Sequence, residues 1–335
     1  MELSTKKALA ANYTISKIVI SQEYNVNFKK KNVIDKAFKK AFIMLAGRLV
    51  ESKDYKIFQK IEIDEIKSLI NNFSVTNEKF MNNDYITEVE VEFDRKKVLK
   101  FIQSKNVISS IPININLLII PIIIDTVKDE IYYINNNIFF KEWLNVNEDY
   151  HLINYSLPNQ DIEDFEIIKK NVKNLERNNL KEIMDKYNFD NFALLIIYKT
   201  EKNLRVFSRI NFNSSEFTIN NTYFNTEIND LDSVRQLISK TKKEYEDKFK
   251  LLNKINISVN LSILFSLDSK EYEKINKFEK FLINQELISN YKIKSISNKN
   301  VLYQVTYNGN PEKFLKSLNQ NDFEINSSST IWIVK

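Results

Sequence analysis

Ile255-Asn-Ile-Ser-Val-Asn-Leu-Ser-Ile-Leu-Phe-Ser-Leu267 decides the fold. Ile255, Ile257, Val259, Leu261, Ile263, Phe265 and Leu267 alternate with Asn256, Ser258, Asn260, Ser262 and Ser266; Leu264 is the single exception. A period of two sends successive side chains to opposite faces, so this is a strand with one apolar and one wet face. A helix follows over Ser269–Asn284, with Tyr272, Ile275, Phe278 and Leu282 turned inward. Tyr291–Ser297 and Val301–Tyr307 read as a hairpin. Asn310-Pro311 then opens another helix, with Asn at the N-cap and Pro in the first turn, where its missing N–H costs nothing. Phe323–Ile325 and Thr330–Val334 flank a serine turn. The order β-α-β-β-α-β plus a final strand predicts a ferredoxin-like unit over residues 255–335.

Upstream, Asp230–Lys254 carries Leu231, Val234, Leu237, Ile238, Tyr245, Phe249 and Leu252 on one side of a long helix, read as a connection over 229–254. Before it lies an α/β unit over 113–228. Its strands Leu117–Ile124 and Asn191–Tyr198 are near-continuous Ile and Leu, which implies burial on both faces. Glu130–Ile134 reads as the hairpin partner of the first strand and Phe139–Leu144 as a short helix. Asp161–Asn171 and Asn178–Tyr187 read as helices, and Leu204–Phe212 with Phe217–Phe224 as a meander.

The first unit spans 12–110. Strand Asn12–Ile20 precedes a helix over Asn32–Val50, where Ile34, Ala37, Phe38, Ala41, Phe42, Leu45 and Leu49 keep helical spacing. Ala37 and Ala41 permit close packing on a sheet. Gly47, in the last turn, costs ~1 kcal/mol against Ala, which suggests tight backbone contact. A helix over Ile63–Asn71 leads into two strands. In Asp84–Phe93, Tyr85, Thr87, Val89, Val91 and Phe93 alternate with Glu88, Glu90 and Glu92, the mark of a half-buried antiparallel strand. Asp94 opens the helix Arg95–Gln103. The unit is β-α-α-β-β-α, and the chain as a whole is α+β in three small sheet-and-helix units.

The chemistry is narrowed by what is scarce. The 335 residues include two Gly, one His and no Cys, while 23 Phe and 16 Tyr supply ample core. Disulfides, Cys-based zinc sites and thiol catalysis are excluded. Neither Gly47 nor Gly309 has a second Gly nearby, so both the P-loop and the dinucleotide fingerprint are excluded. His151 is the sole histidine and no Gly-x-Ser-x-Gly elbow accompanies it, so it reads as a surface or loop residue. Asp161, Glu163 and Asp164 form the densest acidic cluster. One reading makes Asp161 and Asp164 a carboxylate metal site of an enzyme; the other has them satisfy the N-terminal amides of the following helix. Trp143 and Trp332 fall in different units and read as core.

The 49 Lys+Arg and 44 Asp+Glu leave a net charge of +5, and no basic block exceeds Lys29-Lys30-Lys31. That is a solvated mixed-charge surface and argues against nucleic acid as a partner. A further alternative is single-stranded nucleic-acid binding by the C-terminal sheet, from Tyr291-Lys-Ile-Lys294 and Tyr303-Gln-Val-Thr-Tyr307. Tyr303 and Tyr307 share a face with Val301 and Val305, however, which makes that face core. The longest apolar run, Ile111–Ile124, is short of the ~20 residues that span a bilayer and contains two Asn and two Pro. Ala8-Leu9-Ala10 looks like a signal-peptidase site without its apolar stretch. The expectation is a periplasmic chain if a signal peptide lies upstream, and a cytoplasmic one otherwise.

A set of features in order completes the reading. They are strand Tyr13–Ile20, the helix with Ala37, Ala41, Leu45, Arg48 and Leu49, and Tyr85–Asp94. Then come Leu117-Leu-Ile-Ile-Pro121, Trp143, Leu157-Pro158-Asn-Gln-Asp161-Ile-Glu-Asp164, and Leu302–Tyr307-Asn-Gly309. This succession resembles the bacterial family catalogued as domain of unknown function 2066. Gln160 stands where that family often has Gly, and Lys- and Asn-rich helices replace Arg- and Ala-rich ones. The resemblance implies an exported cell-envelope protein. Its motif positions here are Ala37, Ala41, Arg48, Pro121, Trp143, Pro158, Asp161, Asp164, Tyr307 and Gly309, each explained by packing or capping. The N-terminal unit is also similar to small β-α-β-β domains of envelope assembly proteins. Together these imply a non-enzymatic binding or assembly module without cofactor or metal, acting on a protein or envelope partner.

Overall fold

A computed structural model of the chain describes residues 13–159, 161–177, 180–212, 215–224, 230–255, 261–285, 287–309 and 311–335. Several sequence readings lie outside the described residues: the Ala8-Leu9-Ala10 segment, Gln160, the helix start at Asn178, strand residues 256–260, and the Asn310 cap.

The chain opens with β1 (Thr14–Glu23), α1 (Lys30–Leu49), α2 (Ser52–Phe58), α3 (Ile63–Leu69), β2 (Ile70–Met81), β3 (Asp84–Phe93) and α4 (Arg95–Ser104). Three helices, not two, separate β1 from β2. The extra one, α2, has seven residues and buries only Phe58, too little for a periodic signal. The antiparallel sheet runs β1-β3-β2, so β3 is central and its five alternating residues Tyr85, Thr87, Val89, Val91 and Phe93 face the core. On that face lies α1, with Ala37, Ala41 and Leu45 fully buried. The two alanines let the helix approach the sheet, and each large side chain buried there contributes roughly 1.5–3 kcal/mol. Gly47 is buried in the last turn and Arg48 follows it, placing a cation at the negative end of the helix dipole.

The β2–β3 turn shows how a chain with almost no glycine bends. Asn82 and Asn83 take φ of 52° and 64°, the left-handed conformation a two-residue hairpin needs. Among the described residues nine non-glycines have positive φ; Asn82, Asn83, Asn106, Asn136 and Asn188 are five of them, and Asp129 and Asp322 two more. Short polar side chains tolerate that region best after glycine. The asparagine-rich composition therefore does conformational service.

The middle of the chain forms β4 (Ile115–Asp125), β5 (Glu130–Tyr132), α5 (Ile138–Glu142), a 3₁₀ turn (Trp143–Asn145), β6 (Ile153–Ser156), α6 (Ile162–Asn171) and α7 (Lys181–Tyr187). β7 (Phe192–Lys199), β8 (Asn203–Phe212), β9 (Ser215–Phe224) and α8 (Leu231–Leu252) complete it. The sheet order is β5-β4-β7-β8-β9, with β6 also pairing β4. β4 is parallel to β6 and β7, and β7-β8-β9 is an antiparallel meander. Both faces are covered: Leu117, Ile119 and Ile123 enter one core, Leu118, Ile120 and Ile122 the other. Val234, Ile238, Tyr245 and Phe249 of α8 belong to the first of these cores, so the helix read as a connection packs its inner face on this sheet.

Pro121 sits inside β4, where proline normally breaks a ladder. β6 pairs β4 at Ile115–Leu118 and β5 pairs it from Ile123, so this edge is open around Pro121. The Pro121 carbonyl accepts from Asn137 Nδ2 at 2.8 Å. A strand residue directs its C=O and N toward the same side, so the missing N–H falls in the gap between β6 and β5.

The last segment contains β10 (Leu261–Asp268), α9 (Tyr272–Asn284), β11 (Ile288–Ile296), β12 (Asn300–Tyr307), α10 (Pro311–Gln320), β13 (Ile325–Asn326) and β14 (Ile331–Val334). The sheet order is β11-β12-β10-β14-β13. The β-α-β-β-α-β plan and its extra strand are present, but the extra strand is not at the edge. β14 is inserted between β10 and β13, parallel to the first and antiparallel to the second. Gly309 follows β12; a Cβ there would come within 2.8 Å of Leu287 Cδ1 and the Tyr307 ring. The same Tyr307 ring stacks on Phe314 at 4.2 Å, so glycine is what lets that stack form.

The chain forms two compact units. One comprises Asp54–Ile111 and Asn253–Lys335 with the segment up to Val50; the other comprises Pro112–Leu252 with Glu51–Lys53. At the junction the first unit pairs its own two crossing strands. Ile111 N donates to Asn253 O at 2.9 Å, Ile255 N to Ser109 O at 2.9 Å, and Ser110 forms an antiparallel bridge with Lys254. No helix among the described residues is long and apolar enough to cross a membrane.

Candidate functional site

Two groups of titratable side chains in the central unit bear on the sequence readings; Glu176 with Arg205 and Asp125 with Lys199 form ion pairs elsewhere in it. The first is the N-terminus of α6. Asp161 is its N-cap, and its Oδ1 accepts from Glu163 N at 2.8 Å. The other oxygen accepts from Lys186 of α7. Three residues on, Asp164 is fully buried. Its Oδ1 accepts from Lys186 Nζ at 3.1 Å, and its Oδ2 from Tyr187 OH at 2.7 Å and Tyr133 OH at 3.4 Å. The Lys186 ammonium holds the Asp161 carboxyl below the usual carboxylate range, and Asp161 in turn raises Lys186. Burial, then Asp164, pushes Tyr187 up to about 12. A divalent cation needs several free oxygens at once. Here a lysine ammonium and two phenols already occupy the carboxylates. Among the described residues no group of three His, Asp or Glu side chains is placed to hold a metal ion.

The second place is beneath α8, facing the irregular segment that runs from the 3₁₀ turn to β6. Buried backbone must find partners, and a segment outside a ladder cannot find them in itself. α8 supplies them. Lys242 is fully buried and its Nζ donates to Trp143 O at 2.7 Å, Val146 O at 2.6 Å and Asn147 Oδ1 at 3.1 Å. Its ammonium also lies 4.6 Å from the Tyr155 ring centroid and 5.4 Å from that of Trp143. One turn later Glu246, 2 % exposed, accepts from Leu152 N and Ile153 N, both at 2.9 Å through Oε1. A cation thus takes the carbonyls at one end of the segment and a carboxylate takes the amides at the other.

Burial dominates the electrostatics of this clasp. It lowers Lys242 to about 8 and raises Glu246. Burial first, then Lys242, Lys250 and Lys243, lowers His151 to about 4, so its imidazole is neutral at pH 7 and a weak base. Five polar atoms here are buried with no hydrogen-bond partner: Trp143 Nε1, both His151 ring nitrogens, Tyr155 OH and Glu246 Oε2. Tyr245 OH donates to Ser208 Oγ at 2.7 Å. No nucleophile in this group is offered to solvent beside a base, because each N–H of Lys242 is already donated to a carbonyl oxygen.

The residues singled out from sequence are spread over the fold. Asp161 and Asp164 come together, and buried Pro158 precedes them on the strand-to-helix loop. Trp143 belongs to the clasp; His151 lies beside it in the loop before β6, as the sequence reading had it, but half-buried. Ala37, Ala41 and Arg48 lie on α1, Pro121 in β4, and Tyr307 and Gly309 at the end of β12. Tyr303 and Tyr307 are buried, and Tyr303 OH donates to Glu279 at 2.6 Å, so neither ring is open to stack on a base. Sequence reasoning missed Lys242 and Glu246. The signal was present: the apolar stripe of α8 passes from Ile238 to Tyr245, and Lys242 fills the intervening inner position. No protein-family model and no curated protein matches the chain.

Proposed function

We propose that the protein is a non-enzymatic binding or assembly protein of the cell envelope, working in the periplasm. Its surface of contact is the open edge of the N-terminal sheet. The observation that carries this reading is β2, a twelve-residue edge strand almost wholly exposed. Phe73, Val75, Phe80 and Met81 on it are 46 %, 36 %, 66 % and 51 % exposed. At the hairpin end Phe80 meets Tyr24 and Tyr85 at ring distances of 5.1 and 5.2 Å. An unpaired strand edge with exposed apolar side chains is how sheets accept an extended segment of a partner protein. The placement in the envelope rests on the resemblance to family 2066. The absence of a catalytic reading is supported by the two charge clusters, where Asp161, Asp164, Lys186 and Lys242 are engaged by their own fold.

The test has two arms. A photo-crosslinker at Phe80, in source cells, captures a defined envelope partner that the same probe at exposed Lys39 does not, and fractionation recovers the chain with the periplasm. Purified protein turns over no member of a broad hydrolase panel. Turnover that Asp161→Asn or Asp164→Asn abolishes, or recovery of the native chain from cytosol alone, overturns the reading.

A further inference from the structure

From Arg95 to Val107 the chain holds five cations and no acid. Two of the five are engaged: Lys97 Nζ donates to Ser68 O and Lys105 pairs with Glu65. Arg95 uses one nitrogen, donating to Gln285 O at 3.1 Å. Lys96 and Lys100 make no ion pair or hydrogen bond among the described residues. These last three, on one face of α4, line a cleft of about 550 Å³. Ser109 and Asn308, both buried, also line it, and Leu287 and Ile255 give it apolar surface. Among the described residues the lining has no carboxylate. Asp94, which caps α4, is not part of it.

Clustered cations repel one another, and an exposed cluster normally draws in acidic neighbours on the protein surface. This one keeps three positive groups over a concave, partly apolar space at the positive end of a helix. A guanidinium and two ammonium groups suit a dianionic head, and the apolar surface suits a carbon body. The volume is that of a small-molecule site rather than of a lone ion. We infer that this cleft binds a small organic phosphate monoester, its phosphate held by Arg95, Lys96 and Lys100 and its apolar part against Leu287 and Ile255. The site is independent of the edge strand β2, so either reading can fail without the other.

The test is calorimetric titration of the full chain with phenyl phosphate at low salt, beside inorganic phosphate and phenol. The expected result is saturable binding of phenyl phosphate, weaker binding of inorganic phosphate and none of phenol. Lys96→Gln/Lys100→Gln weakens it by about tenfold or more, the scale of losing charge-assisted contacts. Lys39→Gln/Lys40→Gln, the same change of net charge on the solvent side of α1, leaves it within about twofold. Absence of binding at about 10 mM phenyl phosphate overturns the site. Equal losses in the two double variants overturn it in favour of a general charge effect, and equal affinity for inorganic phosphate overturns the organic ligand.

Discussion

The two charge clusters of the central unit use the same residue types to opposite ends. At the start of α6, Asp161 and Asp164 are neighbours in sequence and reach a lysine and two tyrosines brought by other elements. Apart from the Asp161 cap on Glu163 N, side chain meets side chain here, with Asp164 buried and Asp161 partly open to water. Under α8, Lys242 and Glu246 are one turn apart, yet neither answers the other by hydrogen bond. Each turns to the backbone of a distant segment, 99 residues away for Lys242 and 94 for Glu246. The difference teaches that charge can serve as glue for irregular chain. Where a loop is buried, its carbonyls and amides need strong, directed partners, and an ammonium and a carboxylate are the strongest the code offers.

The largest expected effect would break this comparison if absent. Glu246→Leu leaves two buried amides unpaired and should cost about 3–5 kcal/mol in denaturant unfolding. Lys242→Met keeps the stem and removes three donated hydrogen bonds, for about 2–4 kcal/mol. A loss under 1 kcal/mol for both would mean the segment does not need α8.

His151 gives a pH signature. Its folded pKa of about 4 is below its ordinary 6.5. Its contribution to stability is therefore complete above pH 6.5 and is lost as pH falls toward 4. Glu246, raised by burial, works in the opposite direction and gains as it protonates. The difference between wild type and His151→Gln isolates the histidine, and that difference should change by roughly 1–3 kcal/mol across the window. A flat difference would remove His151 from the buried cluster.

At the other cluster effects are smaller. Asp161→Ala removes an N-cap and one half-exposed ion pair and should destabilise less than either clasp variant in denaturant unfolding. Calcium or magnesium, added at millimolar concentration, should leave the melting temperature unchanged, because only a ligand bound to the native state raises it. A rise that Asp164→Asn abolishes would restore a cation site there.

Legibility in the sequence followed the kind of force at work. Strands β3 and β10 were readable because one-sided burial imposes alternation, β4 and β7 because burial on both faces imposes an unbroken apolar run, and the α+β class followed from them. The four-residue β6 carries no periodicity and was not read, and β13, read over Phe323–Ile325, forms only as Ile325–Asn326. The insertion of β14 beside β10 was not readable at all, since Ile331–Val334 would look the same at an edge. Asp161 was legible as a cap because capping is local. The Lys242–Glu246 clasp was not, because its partners are backbone atoms, which sequence does not distinguish. Gly309 was legible only as a motif position explained by packing or capping; what requires it is the close approach of Leu287 and the Tyr307 ring.

The hydrogen-bonded segments at 109–111 and 253–255 make residues 112–252, the bulk of the central unit, a cassette. The chain departs and returns at points joined by hydrogen bonds, so whatever is spliced between them does not change the path of the rest. Closing a longer insert adds little entropy, since that cost grows only with the logarithm of its length. A descendant of this chain can therefore enlarge, trim or exchange its middle while the outer scaffold, and the cleft on α4, stay as they are.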